Sequence, residues 1–70
     1  MNLRRARAAL RDFEQAVDPR DGARAILDAH RFSYGALINA LDADDKAMAS
    51  AARGLHQRIH ALLVDVLSAD

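Results

Sequence analysis

Apolar residues recur every seven positions over most of this chain, and that spacing confines it to packed helices. Leu3, Ala6, Leu10, Phe13 and Val17 are separated by 3, 4, 3 and 4 residues, and Met48, Ala52, Leu55, Ile59, Leu62 and Val66 by 4, 3, 4, 3 and 4. On an α-helix such spacing places each set on one stripe. The fold class expected is all-α: an antiparallel helical hairpin or three-helix unit that assembles into a dimeric helical bundle.

The helices are expected at about 2–17, 19–40 and 43–67 within a single domain covering 1–70. Asp18-Pro19 marks the first break. Proline disfavours helix at the residue before it and suits the first helical position, so Asp18 reads as N-cap, with Asp21 favourably placed in the first turn. Gly22 lies in that turn and is able to shift the start by a few residues. The second helix carries a wide apolar arc. Ile26, Ser33, Leu37 and Leu41 form its face, Leu27, Tyr34 and Ile38 one flank, and Phe32 and Ala36 the other side.

Leu41-Asp42-Ala43-Asp44-Asp45-Lys46 admits two readings. Asp42 caps a third helix after a tight corner, or one helix runs uninterrupted from 19 to 68, since no Gly or Pro falls between Gly35 and Gly54. Three Asp within four residues favour the corner, because Asp competes with the backbone hydrogen bonds of a helix interior. The seven residues Leu41 to Ala47 are similar to the turn of the Rop-type RNA-binding bundle, a match over a tenth of the chain whose flanking heptads fall out of register.

A chain of 70 residues buries only about 60% of the surface its unfolded form exposes. Small domains close that gap with disulfides, a metal or self-association. There is no Cys, and sixteen of the residues are Ala, which favours helix but buries little. Association with a copy of itself or with another protein's amphipathic helix is therefore expected. Formal net charge is zero, which gives no global pull toward nucleic acid or an anionic membrane. The charge is unevenly spread. Residues 1–17 carry four Arg against Asp12 and Glu14, while residues 42–70 carry five Asp against Lys46, Arg53 and Arg58, an asymmetry that favours an antiparallel or head-to-tail mate, weakly at cellular salt. No apolar run reaches the roughly 18 residues of a membrane span, and Arg5, Arg7, Arg11 and Asp12 interrupt any signal-peptide segment at the start. Nine Arg against one Lys points to a GC-rich bacterial or phage genome, with the cytoplasm as the expected location.

Four constellations carry candidate chemistry. His56 and His60, four apart, meet on one side of a helix and can chelate a transition metal, with His30 from the second helix as a third ligand. The simpler reading makes His56 and His60 boundary residues beside Leu63 and Leu67, and His30 a core histidine bonded to Ser33, Tyr34 or a carbonyl. Gln57 follows His56 where a zinc protease has Glu, which removes that class. Arg4, Arg7 and Arg11, with Arg5 nearby, form a basic edge that suits phosphate. No aromatic is interleaved for base stacking, so a solvated coiled-coil edge is simpler. Phe32 and Val64 fit their own apolar stripes worst, and together with Leu63 and Leu67 they are the candidates for contact with a partner. The internal core is expected from Leu10, Phe13, Leu37, Leu55, Ile59 and Leu62. No nucleophile motif, Gly-rich phosphate loop or paired carboxylates stand out, so no enzyme activity and no cofactor are expected. The function expected is a small helical interaction module (adaptor, inhibitor or secretion-type chaperone) acting by helix-in-groove packing. A nucleic-acid-binding regulator using the Arg edge and a His-based metal bundle are the alternatives.

Overall fold

Asp18 and Asp45 divide the chain into three helices. The computed structural model describes residues 2–69, with α1 over Asn2–Gln15, α2 over Pro19–Asp42 and α3 over Lys46–Ser68. The fold is all-α, as the heptads require.

At the first corner Asp18 is extended (φ −82°, ψ 127°), and its carboxylate accepts a 2.8 Å hydrogen bond from the Arg20 amide. Pro19 follows at a position where a missing N–H costs nothing. Gly22 does not delay the start, since its amide already bonds the Asp18 carbonyl at 3.0 Å. The same cap shortens α1. A residue before proline avoids helical backbone, which ends the helix before Asp18, and α1 stops at Gln15 rather than at 17. Val17 drops off the stripe and is 97% exposed.

The second corner is real, but Asp45 makes it and Asp42 does not. α2 runs to Asp42, beyond the expected residue 40. Asp44 then takes left-handed backbone (φ 53°). Its amide bonds the Leu41 carbonyl at 3.1 Å, and the Asp45 amide bonds the Ala40 carbonyl at 2.9 Å. This pair of bonds is a Schellman cap, with Asp in the place glycine usually takes. Asp45 closes α2 with its amide and opens α3 with its side chain, which accepts from the Met48 amide at 3.0 Å. One residue thus serves both helices, and α3 starts at 46 rather than 43.

Both connections are short, so neighbouring helices run antiparallel. α2 is the middle element and carries nearly all the helix–helix contact, with α1 on one side and α3 on the other. Ala6, Ala9 and Leu10 of α1, Ile26 and Ala29 of α2, and Leu55, Ile59 and Leu63 of α3 form one buried cluster, with Leu3, Phe13, Phe32, Leu62 and Val66 packed against it. Of the expected core residues, Leu10, Leu55 and Ile59 are buried, Phe13 and Leu62 are half-buried at its edge, and Leu37 is half-buried without joining the cluster. The largest fully buried side chains are Ile26, Ile59 and Ser33. A core of two isoleucines, three leucines and three alanines is thin for three helices. Among the described residues, no helix is long and apolar enough to cross a membrane.

Candidate functional site

The antiparallel pairing of α2 and α3 brings two rows of side chains side by side. On α2, Leu27, His30, Tyr34, Ile38 and Leu41 follow each other at 3, 4, 4 and 3 residues. On α3, His56, His60, Val64 and Leu67 follow at 4, 4 and 3. Each spacing keeps its row on one helix face. The rows meet where His30 reaches His60 and Tyr34 reaches His56. Around this centre the face is apolar and open. Leu27, Tyr34, Ile38, Leu41, Val64 and Leu67 are all exposed large hydrophobic residues, Leu67 to 73%.

Three imidazoles occupy the centre. His30 Nε2 lies 3.2 Å from His60 Nδ1. The His30 ring centroid is 4.6 Å from that of His56 and 5.4 Å from that of His60. Fully buried Ser33 locks the inner side: its hydroxyl donates to the His30 carbonyl at 3.0 Å and lies 2.7 Å from His56 Nδ1. The single hydroxyl proton serves one of these two contacts: given to the carbonyl, it leaves Ser33 to accept from His56 Nδ1–H, and given to His56 Nδ1, it leaves the proton of that ring on Nε2. Burial, then the charges that His30 and His60 carry when protonated, lower the His56 pKa from the usual 6.5. No buried side-chain nitrogen or oxygen lacks a hydrogen-bond partner among the described residues.

The residues singled out from the sequence separate into three groups. His30, His56, His60, Val64 and Leu67 come together on this one face. Leu63 does not join them. It is only 8% exposed and belongs to the internal cluster, because α3 turns it toward α2 and α1. Phe32 also lies elsewhere. It is half-buried on the α1 side of α2, with the Arg5 and Arg31 guanidinium carbons 5.8 and 5.0 Å from its ring centroid. Its misfit to the α2 stripe arises because α2 is covered from two directions. Arg4, Arg7 and Arg11 line one shallow depression on α1 with Leu3 and Ala8, away from the histidine face. The one ion pair among the described residues is Arg31–Asp28, at 3.6 Å and well exposed, which contributes about 1 kcal/mol at most.

Ser33 is the residue whose role the sequence did not assign correctly. Its hydroxyl was one of three partners expected for His30, beside Tyr34 and a carbonyl, and instead meets the ring of His56, 23 positions further on. The exposed row on α2 was visible as spacing but lay hidden inside a single wide apolar arc. No protein-family model, curated protein or solved structure matches this chain.

Proposed function

We propose that this chain is a small helical protein–protein interaction module that acts by packing the outer face of α2 and α3, and that its occupant is a second copy of itself in a two-fold dimer. The observation that carries the reading is the open row Leu27, Tyr34, Ile38 and Leu41, spaced 7, 4 and 3 residues apart. That is the seam spacing of helices packed against each other. A seam of this kind on a two-fold axis is self-complementary, as an isologous contact must be.

Three further features support a second copy. The internal core is thin, so burying this face supplies what a short chain lacks. Charge along α2 is weakly polarised: residues 20–31 carry Arg20, Arg24 and Arg31 against Asp21 and Asp28, and the other end carries Asp42. Antiparallel packing of two α2 helices sets the basic half of one against the acidic end of the other, which favours that orientation. Val64 and Leu67 of α3 extend the apolar surface beside Leu27 and enlarge the contact. The module works by binding, in the cytoplasm, and without chemistry of its own.

Tyr34 offers a direct test. It is the one tyrosine in a chain without tryptophan, so tyrosine emission reports this face alone. Quenching of that emission by acrylamide falls as protein concentration rises. Ile38→Asp places a charge in the seam, keeps the helix content and makes quenching independent of concentration. Equal quenching of the unaltered protein at every concentration refutes self-association through this face. The open surface would then fall to another protein's amphipathic helix.

A further inference from the structure

We infer that His30 and His60 form a binding site for a borderline divalent transition-metal ion, zinc foremost, that staples α2 to α3. His30 Nε2 and His60 Nδ1 come from different helices, 30 positions apart in sequence, and lie 3.2 Å from each other. Two nitrogens on one tetrahedral zinc, each about 2.0–2.1 Å from the ion, stand about 3.3 Å apart. The pair is already spaced as one edge of that tetrahedron.

Without an ion the two rings share one N–H, which one donates and the other accepts. With the ion, both lone pairs turn to the metal and the ring protons sit on His30 Nδ1 and His60 Nε2. When both rings are neutral, this is a change of tautomer with no proton gained or lost. Imidazole nitrogen suits zinc, nickel and copper, whereas magnesium and calcium take oxygen ligands. His60 is exposed, which gives the ion its path in. Among the described residues, no group of three or more His, Cys, Asp or Glu side chains stands in a complete metal-holding arrangement. The site therefore has two protein ligands, with water filling the remaining positions. His56 flanks it, its Nδ1 held by Ser33. Self-association is not required for this site, since both ligands belong to one chain.

The test is thermal unfolding of the untagged chain in rising zinc chloride, repeated in magnesium chloride, with the bound zinc counted per chain. One zinc binds per chain, and at a zinc concentration about 100 times its dissociation constant the melting temperature rises by about 10 °C or more. Magnesium leaves the melting temperature unchanged. A chelator reverses the rise. His60→Gln removes one ligand from an exposed position, keeps the fold and abolishes the rise. No rise in excess zinc, or an equal rise in His60→Gln, overturns the proposal.

Discussion

Ile59 gives the sharpest check on the internal packing. It is 0% exposed and sits in the cluster with Leu55, Leu63 and Ile26. Ile59→Val removes one carbon and Ile59→Ala removes three. At about 0.8 kcal/mol per buried CH₂, the transfer loss is about 0.8 and about 2.4 kcal/mol. Rigid neighbours on all three helices close the gap only in part, which brings the totals to about 1 and about 3–4 kcal/mol. A 70-residue chain has about 4–10 kcal/mol of stability in all. The valine variant should therefore stay folded, with its melting temperature lower by about 4–8 °C. The alanine variant loses a large share of its stability and is partly unfolded at physiological temperature. Arg58→Ala, on the exposed side of the same helix, serves as the reference and changes stability by less than about 0.5 kcal/mol. Urea unfolding followed by circular dichroism at fixed protein concentration measures all three. If Ile59→Val costs no more than Arg58→Ala, Ile59 is not at the centre of the core and the packing described is wrong.

Two further outcomes follow from the histidine centre and the second corner. His56 has a folded pKa below its unfolded value of 6.5, so the unfolded chain binds protons first as pH falls. Its contribution is fully present above about pH 6.5 and is lost as pH drops from there toward the folded value. The groups facing it are His30 and Tyr34 from α2 and His60 from its own helix. Melting temperature should fall between about pH 7.5 and pH 5.5, above the range in which carboxylates titrate, and His56→Gln should flatten that fall. An unchanged slope would mean that His56 is not the group responsible. At the corner, Asp44 holds left-handed backbone that costs an L-residue about 1–2 kcal/mol. Asp44→Gly should be neutral or stabilising by up to about 1 kcal/mol. Asp44→Val should destabilise by about 1–2 kcal/mol, because a β-branched side chain fits that conformation worst. Thermal melts of the two variants check both signs.

The helices were legible because heptad spacing and Asp-Pro chemistry are local signals. The α1 stripe is buried at Ala6 and Leu10 and the α3 stripe at Ala52, Leu55 and Ile59, all positions that spacing alone picks out. The corner at Asp42–Asp45 was legible as a corner but not in its detail. Three Asp compete to cap, and the winner depends on which carbonyls of α2 need closing, a matter of backbone geometry rather than residue type. Val17 fell off its stripe for a similar reason, since the cap of the next helix claims the chain two residues earlier. The site was harder to read. His56 and His60 were visible as a pair at four-residue spacing, but the register between α2 and α3 decides that His30 meets His60 and Ser33 meets His56. Leu63 and Phe32 show the same limit: whether a side chain at the edge of an apolar arc faces the core or the solvent depends on where the neighbouring helices lie.

The proposed dimer covers the open face of α2 and α3 with a second copy of the chain. Absolute mass by light scattering across a dilution series tests it most directly. A dimer gives twice the chain mass of 7.7 kDa at high concentration, falling toward 7.7 kDa on dilution. A fully helical species of 7.7 kDa at every concentration would contradict it.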